Sequence, residues 1–199
     1  MDCLPLCFRF DPTDEEIIFY LYHKVYGLQL PSNAVIDCDV YHESHVWKKL
    51  LEERREDRLY VFTKLDKKIG RSKVGRVTES GTWRSQHDKD VYMSVDGGEK
   101  KQHVGYKKSF TFVPKEKNEE KRKWVMHEYR LHESLVPANI NPFDLYVLCR
   151  IKKTGTKEEP KKNTNGRKFL ANNNTSAVPS DQSNSTFAKE LEAVLMADD

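Results

Sequence analysis

Four aromatic and β-branched segments, which follow one another from Arg58 onward, constrain the fold more than any other feature. Their residues alternate in part between apolar and polar, which is typical of β-strands. Turn-forming residues separate them at Asp96-Gly97-Gly98, Lys117-Asn118 and Asn141-Pro142. Because no helix of ten residues fits between consecutive strands, they have to pair antiparallel rather than through helical crossovers. The segments are "RLYVFTKL", "HVGYKKSFTFVP", "KWVMHEYRLH" and "DLYVLCRIK".

The stretch before these strands contains a helix whose two ends are both marked. Thr13 and Glu16 have the spacing of a capping box, and Gly27 is a typical terminator. The apolar residues between them form one stripe along the helix: Ile17, Ile18, Leu21 and Val25. A shorter helix is predicted in "DCDVYHESHVWKKLL", with these residues buried: Val40, Val46, Trp47 and Leu50. The fold class is therefore α+β, a twisted antiparallel sheet packed with a few N-terminal helices.

Composition changes near Thr154 and divides the chain into two parts. Residues 1–153 carry the recurring apolar side chains of a folded domain, whereas residues 154–186 are rich in Asn, Ser, Thr, Lys and Pro and predict a disordered linker. The final "FAKELEAVLMADD" is acidic and amphipathic. It is too short for a stable isolated helix. It is interpreted either as a segment that folds in the groove of a partner such as a coactivator or as an inert tail.

Several classes of protein are disfavoured by what the sequence lacks. No apolar run approaches the length of a membrane span, and the N-terminus has no cationic segment followed by an apolar one, as a secretory signal would have. The four cysteines lack the spacing of a disulfide framework, which indicates a reducing compartment. We therefore expect neither a membrane protein nor a secreted one.

The sequence also gives little support for catalysis or for a metal site. It contains neither a G-x-S-x-G elbow nor a phosphate-binding glycine loop. His127 and His132 are five positions apart on a strand-like segment, which does not suit a helical zinc motif. A structural zinc site would have to use these residues, of which the first lies at the terminus: Cys3, Cys7, His42 and His45. We predict no enzyme activity, no metal and no cofactor.

Basic residues cluster in two segments, "KLDKKIGRSKVGR" and "KKQHVGYKK", while acidic residues concentrate elsewhere. The net charge is only +3, so this uneven distribution matters more than the total. One interpretation is a single electropositive face of the kind that phosphate binding requires. The other is a pair of solvated loops.

The segment "WRSQHDKD" places a polar run directly after Trp83. If Trp83 is anchored in the core, as we also expect for Trp47 and Trp124, the polar residues lie on an edge strand that leaves the sheet. A protruding strand can enter the major groove of DNA, where Arg reads guanine and Gln reads adenine. The alternative interpretation is a polar hairpin tip.

Five segments, in order and over about Leu4 to Lys153, resemble the plant NAC-domain transcription factors. "LPLCFRFDPTDEEIIFYL" resembles the family's L-P-P-G-F-R-F-H-P-T-D-E-E-L, and "RVTESGTW" is similar to R-A-T-x-S-G-Y-W. "VGYKKSFTF", "WVMHEYRL" and "YVLCRIKK" are similar to V-G-M-K-K-T-L-V-F, W-V-M-H-E-Y-R-L and W-V-L-C-R-I-F-K-K. Each motif is specific to the family, and all five occur in the family's order.

The resemblance implies a sheet packed between helices, a nuclear location, and binding of double-stranded DNA by a homodimer or a heterodimer with other NAC-domain proteins. It places the bridge between the two subunits on Arg9 and Glu16. It implies that the strand beginning at Trp83 enters the major groove. With the altered strand included, the residues expected to contact DNA are Arg76, Arg84, Ser85, Gln86, His87, Lys89, Lys107 and Lys108.

The chain departs from the family pattern most strongly in the strand expected to read DNA. The Gly of P-G-F is Cys7 and the His of F-H-P is Asp11, while W-K-A-T-G-K-D has become "WRSQHDKD". Aligned without a gap, Gln86 replaces Thr and His87 replaces Gly; with a one-residue insertion, Lys89-Asp90 matches the final K-D. We expect a sequence-specific transcription factor. The alternative is a dimerisation regulator that pairs with typical NAC-domain proteins and binds DNA weakly itself.

Overall fold

A computed structural model describes most of the first 154 residues. The chain divides into two units, Met1–Thr154 and Gly155–Asp199. The expected linker and the acidic tail lie outside the described residues, so their disorder stays a prediction. The described ranges are 10–42, 46–54, 56–65, 76–95, 100–115, 123–138 and 145–154, together with Lys189.

Helix α1 spans Asp14–Tyr26 and has both of the predicted ends. The backbone N–H of Thr13 donates to the Glu16 carboxylate at 2.7 Å, and the N–H of Glu16 donates to the Thr13 hydroxyl at 3.2 Å. The helix ends at Gly27, whose φ of 65° lies in the left-handed region that glycine tolerates best. The capping box and the terminator are thus confirmed.

Helix α2 spans Val46–Arg54 and confirms the second predicted helix. Trp47 is fully buried, as predicted, but Val46 and Leu50 are only half-buried and Leu51 is buried in their place. The stripe that faces the sheet is therefore Trp47 and Leu51, which are one helical turn apart. No helix in the described part of the chain has the length and apolar character needed to cross a membrane.

A six-stranded sheet forms the body of the domain, in the order β1-β2-β6-β5-β4-β3. All neighbours pair antiparallel except β1 and β2, which are parallel. The α+β fold and the antiparallel sheet are confirmed, while the two-residue strand β1 has no sequence signal. The strands are β1 (Ile36–Asp37), β2 (Arg58–Lys64), β3 (Gly81–Val95), β4 (Lys100–Pro114), β5 (Lys123–Leu131) and β6 (Tyr146–Thr154).

Strand β3 lies at the edge of the sheet, as predicted, but it does not leave the sheet at its polar run. Its pairing with β4 continues from Gly81 to Val95, because β4 also has fifteen residues and supplies a partner along the whole length. The prediction of a departing strand is therefore wrong. The polar residues are not a hairpin tip either, since the β3–β4 connection comes after Val95.

The two helices pack on opposite faces of the sheet. Trp47 of α2 contacts Trp83 and Trp124, with ring centroids 5.5 and 4.9 Å apart, on what we call the α2 face. All three tryptophans are buried, which confirms their predicted role as core anchors. On the other side, the α1 face, Ile18 approaches Gly105 so closely that an added Cβ would overlap it. The sheet is thus enclosed between helices, as the resemblance implies.

Candidate nucleic-acid interface

Residues 84–90 of β3, called the polar run below, are all exposed to solvent. The strand is anchored on either side of them, since Trp83 and Val91 have exposed fractions of 2% and 4%. Strands with one buried face alternate between buried and exposed positions, and the polar run breaks that alternation. It therefore presents both faces and the free edge of β3 to a partner at once.

A β-bulge interrupts the pairing in the middle of the polar run. Gln86 and His87 of β3 lie opposite the single residue Ser109 of β4, with regular pairs on either side. The His87 imidazole contacts the Ser109 hydroxyl, with Nε2 and Oγ 3.3 Å apart. After the bulge, Lys89 pairs with Lys107. The bulge accommodates one additional residue in β3. The alignment of "WRSQHDKD" to the family motif with a one-residue insertion requires such a residue.

The register sorts the charges of the polar run between the two faces of the sheet. Arg84 and Lys89 share the α1 face with their partners on β4, whereas Asp88 and Asp90 lie on the α2 face. Asp88 accepts a hydrogen bond from Lys108 at 3.0 Å. Arg84 and Lys89 form no ion pair within the described part of the chain. The α1 side of this edge is therefore the one that carries uncompensated positive charge.

Arg76 occupies a more internal position than its expected phosphate contact suggests. Its side chain is 14% exposed, and its guanidinium donates to both carboxylate oxygens of the buried Glu128 at 2.8 and 2.9 Å. Arg130 and the Tyr41 hydroxyl donate to the same carboxylate. Burial alone raises the pKa of Glu128, but Arg130, Arg76 and the Tyr41 hydrogen bond hold it below its ordinary value. The backbone N–H of Trp83 donates to the backbone carbonyl oxygen of Arg76 at 3.0 Å, so Arg76 also supports the start of the polar run.

The neighbouring lysines 107 and 108 lie on opposite faces and have different surroundings. Lys107 is 17% exposed and donates to both carboxylate oxygens of Asp14 at 2.9 and 2.8 Å. Burial raises the pKa of Asp14, but the hydrogen bonds from Lys107 and Tyr129, together with the charges of Lys107 and Arg150, hold it below its ordinary value. Lys108 is 33% exposed, and its ion pair with Asp88 is on the surface, where such pairs contribute little. Lys108 is thus the freer of the two to exchange its partner for a phosphate.

Of the two residues expected to bridge a dimer, only Glu16 lies in the part of the chain that the structure describes. Arg9 lies outside the described residues. Glu16 is in the first turn of α1, where one carboxylate oxygen is used by the capping box. Phe10 packs edge-on against Tyr20 and Tyr60, with ring centroids 5.4 and 4.9 Å apart, which fixes the chain just before α1. The bridge between Arg9 and Glu16 stays a prediction.

Two basic residues of β6, Arg150 and Lys152, lie on the same face of the sheet as Arg84 and Lys89, although no sequence motif pointed to them. Lys152 lies in a row of paired residues on the α1 face, Arg84, Thr111, Val125 and Lys152, and this row continues to Arg58 on β2. In the next row, Arg150 pairs with His127 and donates to its Nδ1 at 2.9 Å. The two residues are two positions apart in "YVLCRIKK". Because alternate residues of a strand point to the same face, this spacing could have predicted that they lie on one face.

No group of three potential metal ligands comes together among the described residues. His127 contacts Arg150, and His132 accepts the backbone hydrogen bond of Ser134 as the cap of a short 3-10 helix, Glu133–Leu135. Of the residues considered for structural zinc, Cys3, Cys7 and His45 lie outside the described part. His42 bonds Asp39 at 2.8 Å.

Comparison with known proteins identifies the family. The family model described as "No apical meristem (NAM) protein" matches residues 5–131. The chain belongs to this family of plant NAC-domain proteins. NAC domain-containing protein JA2L of Solanum lycopersicum is 33% identical over 207 residues, which cover 98% of this chain and 53% of that protein. NAC domain-containing protein 41 of Arabidopsis thaliana is 38% identical over 156 residues, which cover 74% of this chain and 53% of that protein.

A third relative is similar to this NAC-domain chain over about a quarter of its own length. NAC domain-containing protein 78 of Arabidopsis thaliana is 39% identical over 157 residues, which cover 75% of this chain and 26% of that protein. The chain thus spans about half, or less, of the length of these relatives. The resemblance noted in the sequence is confirmed at the level of the family.

The NAC domain carries a histidine whose titration should be visible in its stability. Burial, followed by the cations Arg150, Lys107 and Lys152, lowers the pKa of His127 to about 4. The unfolded chain, with an ordinary histidine, takes up this proton at higher pH. Stability from the neutral imidazole is therefore complete above about pH 6.5 and is lost as the pH falls toward 4.

We expect His127→Gln, which keeps a hydrogen-bond acceptor for Arg150, to flatten this part of the stability profile. Relative to this variant, the wild type should lose about 2 kcal/mol of unfolding free energy between pH 7 and pH 4. Full burial of the imidazole would give a larger loss, but His127 is only half-buried. Urea unfolding at several pH values measures it, with His132→Gln as the matched control. Parallel profiles for the wild type and His127→Gln would contradict the assignment.

Proposed function

We propose that this chain is a sequence-specific DNA-binding transcription factor that acts in the nucleus as a dimer, without catalysis. The observation that carries the proposal is the polar run, exposed on an edge strand between two buried anchors. Membership of the NAC-domain family supports the same function.

The dimensions of the edge suit the major groove. The groove of B-DNA is about 12 Å wide and about 8.5 Å deep, and it admits a two-stranded β-ribbon. Neighbouring strands are about 4.8 Å apart, so β3 and β4 together match that depth. Since β3 is the outermost strand, its polar run would reach the base edges before any other strand.

The surroundings of each residue suggest its role. We assign Arg84 to a bidentate contact with guanine, and Gln86 to adenine or to a phosphate. Ser85 beside the bulge and His87 within it are both exposed and complete the reading surface. Lys89 and Lys108 are assigned to phosphates. Arg76 and Lys107, which we expected on phosphates from the family pattern, already hold carboxylates of their own chain. We propose that these two chiefly keep β3 and α1 in place.

Arg84 provides the test of base reading. Selection from a random duplex library first defines the preferred site. Arg84→Ala should then weaken binding to that site by roughly 1–3 kcal/mol while binding to random duplex changes little. Arg84→Lys is the matched variant, because it keeps the charge but loses the planar fork that guanine recognition needs. It should lose the preference and keep the salt dependence of the wild type.

Equal losses of affinity for the preferred and the random duplex in Arg84→Ala would reduce the strand to an electrostatic contact. If the wild type selects no sequence and binds no duplex even at low salt, the proposal fails. The chain would then be better described as a dimerisation regulator that pairs with typical NAC-domain proteins.

The dimer is tested through the first turn of α1. Two bridges between Arg9 and Glu16, related by a two-fold axis, would form a self-complementary contact. Glu16→Arg places like charges together and should shift the sedimentation coefficient toward that of a monomer, and adding Arg9→Glu should restore part of the dimer. Glu15→Arg makes the same charge change one position away and controls for net charge. Glu16→Gln controls for the capping box, since its amide oxygen can still accept from Thr13. A dimer that survives Glu16→Arg unchanged would contradict the bridge.

The C-terminal segment is proposed to recruit a coactivator. The amphipathic "FAKELEAVLMADD" would form its helix only on a partner surface. Residues 155–199, fused to an unrelated DNA-binding domain, should change the output of a reporter gene. Leu191→Ser, which interrupts the apolar stripe, should abolish the change. A fusion with no effect in either direction would indicate an inert tail.

A further inference from the structure

The α1 face of the sheet carries a cationic row that continues beyond the strands of the polar run. Arg84 on β3, Thr111, Val125 and Lys152 on β6 are consecutive members of one cross-strand row, which continues to Arg58 on β2. We call the four residues from Arg84 to Lys152 the cationic row. Three strand spacings separate its ends, about 14 Å. Neither Arg84 nor Lys152 forms an ion pair within the described ranges.

We propose that Lys152 is an outer phosphate contact, which binds the DNA backbone at the rim of the groove while Arg84 reaches the bases. This inference rests on the proposed function, because it assumes that β3 enters the major groove. It adds strand β6 to the DNA-contacting surface, which the sequence motifs confined to β3, β4 and the segment before β3.

The depth of the groove places strand β6 just outside its rim. If β3 lies at the floor, a groove about 8.5 Å deep contains β3 and β4, since each further strand adds about 4.8 Å. Strand β6 is then about 14 Å from the floor, which is about 6 Å beyond the rim. A lysine side chain on the sheet face at that height meets sugar-phosphate backbone rather than base edges. Phosphate contacts of this kind position a protein without reading sequence.

The charge around His127 supports an anion on the α1 face. His127 lies one row from Lys152, and the charged groups that act most strongly on it are three cations, Arg150, Lys107 and Lys152, against the single carboxylate Asp14. Arg150 also has a buried Nε that finds no hydrogen-bond partner among the residues that the structure describes. The cations here outnumber their carboxylates, so a phosphate would relieve their mutual repulsion.

The α2 face at the same edge has the opposite character. There these cations already hold carboxylates of the chain: Lys108 pairs with Asp88, and Arg76 and Arg130 share Glu128. A phosphate brought to that face would have to compete with these partners. We therefore expect the α1 face of the sheet to bind the DNA backbone more tightly than the α2 face.

The chain contains a matched pair for the test, Lys152 and Lys153. The two lysines are adjacent on β6 and both half-buried, but they lie on opposite faces. Lys153 packs over Trp124 on the α2 face, with its Nζ 5.0 Å from the ring centroid. Lys152→Gln and Lys153→Gln make the same change of charge, so any difference between them reports the face and not the net charge.

The measurement is the affinity for a random 20-base-pair duplex at several salt concentrations. Lys152→Gln should weaken binding about five- to tenfold at 0.1 M salt and reduce the slope of log K against log salt by about one unit. Lys153→Gln should leave the slope as in the wild type. The sequence preference of Lys152→Gln should be unchanged, and melting temperatures of both variants show that the domain is folded.

If both variants lose slope equally, or if neither does, the proposal is wrong. Suppose that the wild type binds duplex DNA with a normal salt slope and that Lys152→Gln behaves like Lys153→Gln. This result refutes only the outer phosphate contact. A wild type that binds no duplex refutes the proposed function itself, so the two failures are distinguishable.

Discussion

One buried carboxylate, that of Glu128, joins the parts of the domain on which the interface depends. It accepts hydrogen bonds from Arg76 in the segment before β3, from Tyr41 before α2, and from Arg130 on its own strand. A buried charge is tolerated only when it is paired and hydrogen-bonded, and removal of one partner of such a group typically costs about 3–5 kcal/mol. The position of the polar run therefore depends on a contact made some distance from it, at the α2 face of the sheet.

The elements that the sequence predicts well are those determined by neighbours in the chain. The capping box of Thr13 and Glu16 needs only residues three apart, and the tryptophans are large enough to require burial wherever they occur. The partners of the basic residues could not be predicted, because Arg76 and Glu128 are 52 residues apart and Lys107 and Asp14 are 93 apart. A family motif records that such residues are present but not whether they bind a phosphate or a carboxylate of their own chain.

The bulge and the edge position of β3 could not be predicted either, because both depend on how the strands pair. The alternative alignments of "WRSQHDKD" are equally compatible with the sequence, and only the partner strand determines that Gln86 and His87 share Ser109. Because Trp83 and Val91 fix the strand on both sides, the chemistry between them can change without disturbance of the core. The surface that reads a partner is thus separated from the residues that stabilise the fold.

The free edge of β3 has a further consequence for the behaviour of the protein in solution. An edge strand offers unpaired N–H and C=O groups to any other strand, and natural proteins protect such edges with charged side chains and bulges. Here both devices lie in the polar run, in Arg84, Asp88, Lys89 and Asp90 and in the bulge between them. The same residues thus keep two copies from joining sheet to sheet, so a variant stripped of these charges risks aggregation whatever it does to DNA.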